Sequence, residues 1–175
     1  MFDDPAVRAQ LMESLFRHPD WIELDRGTLE ETDAVVRCST RTGVPQAQLA
    51  VLMEELRESL TPMPDTVALL KDLARRGIPL YGLTNMAVGT FQYLRERHEF
   101  LSMFKGIVVS GAIRMVKPEP EIFSHLSAEH GIDYAEAVFV DDLEANVVAA
   151  RALGIHAILF EDCARCAAEL HALLG

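Results

Sequence analysis

The sequence predicts an α/β fold: a Rossmann-like parallel sheet with helices on both faces, plus a small all-helical cap. Three observations predict it. Helix and strand patterns alternate from about residue 65 to the end; a stretch of helices alone precedes them; and the stiff connector Thr61-Pro62-Met63-Pro64 separates the two. Each proline there fixes its own φ and disfavours helix in the residue before it. The expected organisation is therefore a helical cap over residues 1–62 and a Rossmann-like core over 63–175.

The helical part comes first. Val7, Leu11 and Leu15 recur at four-residue spacing and predict a helix after Pro5. Thr28 followed by Glu31 reads as a capping box opening a second helix. A third follows Pro45, with Leu49, Leu52, Met53, Leu56 and Leu60 on one amphipathic face. Asp3-Asp4 before Pro5 reads as a polar helix start, since Asp is a preferred N-cap.

Beyond the connector, Asp65 is the expected cap of a helix running to Arg76 and stopped by Gly77, followed by a buried strand at Ile78 to Leu83. The unit then repeats. Helix Val88 to Arg97 leads to strand Ile107 to Ser110, helix Pro120 to His130 to strand Ala137 to Val140, and helix Ala145 to Leu153 to strand Ala157 to Phe160, before a last helix. Strands joined through helices imply parallel neighbours, because a parallel partner is reached only by a long return connection.

Composition narrows the function. The chain has 175 residues, half of them hydrophobic, and can bury a sizeable core. Its net charge of -11, with scattered Lys and Arg, argues against a nucleic-acid partner. No apolar run is long enough to span a bilayer and no signal-peptide pattern opens the chain, so a cytoplasmic protein without a membrane partner is expected. The three cysteines do not make a disulfide framework, and the Cys163-x-x-Cys166 pair has no second pair to complete a metal site. The six histidines show no ligand spacing.

In parallel sheets, ligands bind beyond the carboxyl ends of the strands. Those positions are polar here: Thr84-Asn85, Ser110-Gly111, Lys117-Pro118 and Asp141-Asp142. Taken singly, most are ordinary, Thr84-Asn85 as a helix cap, Lys117 as a solvated lysine and Ser110-Gly111 as a turn. The adjacent carboxylates after Val138-Phe139-Val140 are harder to explain without a cation, and Mg²⁺ favours one or two carboxylates plus waters. Together the set offers a hydroxyl and an amide for phosphoryl oxygens, an ammonium, and carboxylates for Mg²⁺, which is most of what phosphoryl transfer requires apart from a nucleophile.

Leu83-Thr84-Asn85, Val116-Lys117-Pro118 and Phe139-Val140-Asp141-Asp142 with Asn146 resemble the second, third and fourth motifs of the haloacid dehalogenase-like hydrolases. The resemblance covers nearly the whole chain and is greatest to the subfamily with a small helical cap before the second strand, which includes sugar-phosphate phosphatases. It implies a Mg²⁺-dependent phosphatase acting on a small phosphorylated metabolite. Thr84 would bind the phosphoryl group with support from Asn85; Lys117 would pair with nucleophile and phosphate; Asp142 would ligate Mg²⁺ directly, with Asp141 beside it. The segment Trp21 to Gly27 resembles a stretch recurrent in the cap, where Trp21 and Arg26 read as structural anchors, and Pro62 to Pro64 would be its hinge.

One part of the pattern is absent. The family's first motif is an Asp-x-Asp on a central opening strand, whose first Asp attacks phosphorus and whose second is general acid and base. No such strand stands in this sequence, and Asp3-Asp4 follows one apolar residue where a buried strand needs roughly four to eight. The expectation is a sheet with an empty central position between the strands at 78–83 and 137–140, whose edges invite another chain, including a second copy in a homodimer. A longer protein with roughly 20 to 30 further residues upstream explains the gap best. A strand from a partner and an inactive relative that only binds a phosphorylated ligand are the alternatives. Metal-free dehalogenation fits less well, having no use for Asp141-Asp142.

Overall fold

The computed structural model describes residues 4–174. In chain order the elements are α1 (Pro5–Leu11), continued by a wider turn over Met12–Phe16, α2 (Pro19–Arg26), α3 (Glu31–Thr42), α4 (Gln46–Ser59), α5 (Pro64–Arg75) and β1 (Tyr81–Thr84). There follow α6 (Val88–Arg97), a 3₁₀ turn (Glu99–Met103), β2 (Gly106–Val109), α7 (Ser110–Ile113), α8 (Pro120–His130), β3 (Val138–Asp141), α9 (Glu144–Ala152), β4 (His156–Leu159) and α10 (Cys163–Leu174). They form two compact units: Met1–Thr61 with Asn85–Glu99 and Val109–Arg114, and Pro62–Thr84 with Phe100–Val108 and Met115–Gly175.

In the helical unit, the Asp4 carboxylate accepts a hydrogen bond from the Ala6 N–H at 2.8 Å and caps α1, as its place before Pro5 predicts. Asp3 lies outside the described residues. The stripe of Leu11 and Leu15 meets Leu24, Cys38, Leu49 and Met53 in one apolar cluster. Trp21 packs against that cluster and against the Phe16 ring at 5.0 Å, the anchoring role expected of it. Asp20 is buried, yet Arg41 at 2.7 Å and Arg37 at 3.2 Å outweigh the desolvation and hold its carboxyl below the usual range.

Two helix-end expectations need correction. Thr28 does not cap α3. Its hydroxyl donates back to the Glu23 carbonyl at 3.2 Å and to the Glu23 carboxylate, closing the end of α2, while Glu30 takes the cap position without a side-chain bond. Leu60 lies past the last turn of α4 and is exposed rather than completing its apolar face.

The second unit holds the strands. Helix α5 starts at Pro64, so Asp65 sits inside the first turn and not at the cap. There its charge still meets the positive end of the helix dipole. The helix closes with Gly77 N–H on the Ala74 carbonyl and Ile78 N–H on the Leu73 carbonyl. This motif consumes Ile78 and places Gly77 at φ +80°. The first strand therefore starts at Tyr81 instead of Ile78. Leu73, Leu80, Ile158, Cys166 and Leu170 form one buried cluster in this unit.

Among the described residues β1 pairs with β2, and β3 pairs in parallel with β4 from Val138 opposite His156 to Asp141 opposite Leu159, as two separate two-stranded sheets. A cavity of about 920 Å³ lies in this unit, lined by Tyr81 and Leu83 of β1 and by Val138 and Val140 of β3, with Phe123 and Leu170 among the other walls. All four residues of β1 are only half-buried, and Val140 is 37% exposed although the Val-Phe-Val run has the composition of a central strand.

Candidate active site

Strand β3 ends in Asp141, whose buried carboxylate is held on three sides. Lys117 Nζ lies 2.6 Å from Oδ2, while Oδ1 accepts hydrogen bonds from the Leu143 N–H at 2.9 Å and from Asn146 Nδ2 at 2.8 Å. These contacts follow from the local fold. Leu143 and Asn146 belong to the start of α9, where unsatisfied backbone donors and the helix dipole favour an anion. Asn146 is itself buried.

Lys117 comes from the connection ahead of α8. Val116 anchors that loop in the interior, its N–H donates to the Glu119 carboxylate at 3.2 Å, and the Lys117-Pro118 peptide is cis. The lysine side chain is only 11% exposed, and its ammonium also lies 5.7 Å from the centre of the Phe139 ring. Lys117 is thus not the solvated lysine that its sequence position alone allows.

Asp142, by contrast, is exposed. Together with Lys117 and Asp141 it lines the cavity between β1 and β3. Among the described residues no cluster of three or more His, Cys, Asp or Glu side chains could hold a metal ion. The donor set nevertheless suits Mg²⁺, which is commonly bound by one or two carboxylates and completes its shell with water and phosphate oxygens. Asp142 has the exposed carboxylate for direct ligation, whereas both Asp141 oxygens already accept hydrogen bonds from the protein.

The other two predicted residues stand at the end of the first strand. Thr84 closes β1, the strand on the opposite wall of the cavity, and makes no hydrogen bond to the Lys117–Asp141 pair among the described residues. Asn85 is the first residue of the segment that belongs to the helical unit. The structure thus joins Lys117, Asp141 and Asn146 and sets Asp142 beside them.

Within the helical unit, two residues carry more than the sequence suggested. Ser110 is fully buried: its hydroxyl accepts from the Met86 N–H at 2.8 Å and donates to the Asp25 carbonyl. It ties the residues after Asn85 to the end of α2. Burial pushes the Asp25 carboxyl up to about 7. The only sequence signal was the Trp21 to Gly27 stretch that contains Asp25. Cys163 and Cys166 are free thiols, and Cys166 is buried in the core.

The site is thus an α/β unit with polar strand ends, a buried Lys–Asp pair and an exposed neighbouring carboxylate. The model of the haloacid dehalogenase-like hydrolases matches residues 8–154, and this chain belongs to that family. The sesquiterpene phosphatase astK of Aspergillus oryzae is 29% identical over 98% of this chain and 88% of its own. The drimenol cyclase drtB of Aspergillus calidoustus is 28% identical over 91% of this chain, which spans only 31% of that protein. A HAD family enzyme of Bacteroides thetaiotaomicron, solved in complex with magnesium and inorganic phosphate, superposes with a TM-score of 0.70 at 23% identity, over 89% of this chain and 88% of that one. At that identity the likeness is one of fold.

Proposed function

We propose that this chain carries the charge-stabilising half of a Mg²⁺-dependent phosphatase for a small phosphate monoester. The observation that carries this reading is the Lys117–Asp141 pair at 2.6 Å beside the exposed Asp142, at the carboxyl end of β3. Lys117 offsets the charge of the substrate phosphate, and Thr84 and Asn85 hold its oxygens. Asp142 is the direct Mg²⁺ ligand, with Asp141 next to it. Bound Mg²⁺ would neutralise phosphate charge as bonding at phosphorus changes. Such electrostatic positioning is the larger part of phosphoryl transfer.

The attacking carboxylate in this reading lies on a strand upstream of residue 1 in a longer protein. Residues 1–62 act as a cap that excludes water from the site, with Pro62 to Pro64 as its hinge. The likeness to astK extends over nearly both chains, which favours an isoprenoid phosphate beside the sugar phosphate implied by the sequence resemblance. The second reading is a cytoplasmic binding protein without turnover, and the split sheet is the observation in its favour.

Hydrolysis of an aryl phosphate, a hexose phosphate and a farnesyl monophosphate with Mg²⁺ separates these readings. The comparison needs this chain and an upstream-extended version, each with its Asp142→Ala variant. Activity in the extended protein alone, lost with Asp142→Ala, supports the phosphatase. Turnover by residues 1–175 alone would refute the assignment of the nucleophile, and silence from both versions would favour the binding protein.

A further inference from the structure

We propose that Cys163 and Cys166 are a redox site, a dithiol that closes to a disulfide by exchange with a low-molecular-weight disulfide. The site goes beyond the phosphatase reading and does not rest on it.

Sequence and fold place the two thiols together. Cys163 is the first residue of α10 and Cys166 stands three positions on, so both lie on one face of the first turn. Asp162 fixes that turn: its carbonyl accepts from the Cys166 N–H at 3.1 Å and its carboxylate from the Arg165 N–H at 2.9 Å. Residues three apart on an α-helix have Cβ atoms about 5–6 Å apart, whereas a disulfide needs about 3.5–4.5 Å. Tightening the turn to 3₁₀ geometry narrows that gap, because side chains three apart then eclipse, and helix ends are where such turns are common.

The surroundings of the two thiols set the order of reaction. Cys163 is half-buried and open to a small oxidant, whereas Cys166 is 3% exposed and packs among Leu73, Leu80, Ile158 and Leu170. Burial first, and then Cys163, Glu169 and Asp162 beside it, push the Cys166 thiol up and keep it protonated. Exchange therefore begins at Cys163. With oxidised glutathione, the Cys163 thiolate attacks one sulfur, breaks the S–S bond and releases one glutathione thiolate, leaving a mixed disulfide. Cys166 then gives its proton to water, and its sulfur attacks that of Cys163 and releases the second glutathione. Two protein thiols are oxidised to one disulfide, and one glutathione disulfide is reduced to two thiols. The reaction falls in a segment tied to the end of β3, since the Phe160 N–H donates to the Asp141 carbonyl at 2.8 Å and Glu161 and Cys166 line the same cavity as Asp142.

The test incubates the reduced full chain with oxidised glutathione, blocks free thiols after unfolding and digests with trypsin. Cleavage after Arg165 separates the two cysteines, so the disulfide joins peptide Ala152–Arg165 to Cys166–Gly175. The expected result is that linked pair, from a chain that runs as a monomer on a non-reducing gel, reversed by dithiothreitol. Cys38, fully buried in the helical unit, should remain a blocked thiol and serves as internal control. Cys166→Ala should stop with glutathione attached to Cys163, and Cys163→Ser should react at least about tenfold more slowly because only buried thiols remain.

Glutathione persisting on Cys163 of the unaltered chain without linked peptides would overturn the proposal, as would linkage between two chains, equal modification of Cys38, or an undiminished rate in Cys163→Ser. If either variant does not fold, the peptides from the unaltered chain decide.

Discussion

Replacing Lys117 with methionine probes the polar cluster at the end of β3. The substitution keeps most of the side-chain length and removes the ammonium that lies 2.6 Å from Asp141 Oδ2. With the two side chains 11% and 5% exposed, solvent cannot take over the role of the lysine. Removing one partner of a buried pair costs about 3–5 kcal/mol. Here the Leu143 N–H and Asn146 Nδ2 still bond Oδ1, so about 3 kcal/mol, at the lower end, is expected. Asp141→Asn in the same protein removes the stranded charge and should restore about 2 kcal/mol, appearing as a coupling energy in the double-mutant cycle. Urea unfolding of the four proteins at neutral pH, followed by circular dichroism, measures every corner. A loss below about 1 kcal/mol for Lys117→Met, or a double mutant as unstable as the sum of the singles, would show that the pair is not coupled as its geometry requires.

Two further outcomes concern the helical unit. Gly27 adopts φ +72°, and a Cβ there would fall 2.3 Å from the Gly111 carbonyl oxygen. Gly27→Ala should therefore cost about 3 kcal/mol, about 1–2 from the left-handed backbone and the rest from displacing a neighbouring main chain; an unchanged urea midpoint would contradict this. Asp25, raised from 3.8 to about 7 in the folded state, holds its proton over a range where the unfolded chain has lost it. Its contribution is complete below about pH 4 and is lost as pH rises to about 7. Asp25→Asn should flatten the stability profile over that window and raise stability at pH 8 by on the order of 2 kcal/mol, half the full conversion of the shift because the group keeps some solvent. A melting profile over pH 4–8 that keeps its slope in the variant would assign the slope to other groups.

Much of this protein was legible from local pattern. The Leu11–Leu15 stripe, Asp4 before Pro5, and the alternation of helix and strand after Pro64 each express a preference decided within a few residues, and the structure shows them in place. Boundaries were less so. Ile78 looks like strand, but its N–H closes α5, and Thr28 looks like a helix start but finishes the helix before it. In both cases competing local hydrogen bonds had similar sequence signatures, and the surrounding packing selected one.

By itself the sequence determined the helical and α/β parts, the polar strand ends, and the identity of Lys117, Asp141 and Asp142 as the charges to watch, because periodicity and turn chemistry are local. Tertiary structure alone decided that Lys117 is buried against Asp141 while Asp142 stays exposed, that Ser110 is fully buried, and that an apolar cavity lies between two strand edges. Those outcomes depend on groups brought together from distant parts of the chain. Burial and electrostatic pairing act through distance in space, which residue spacing does not record.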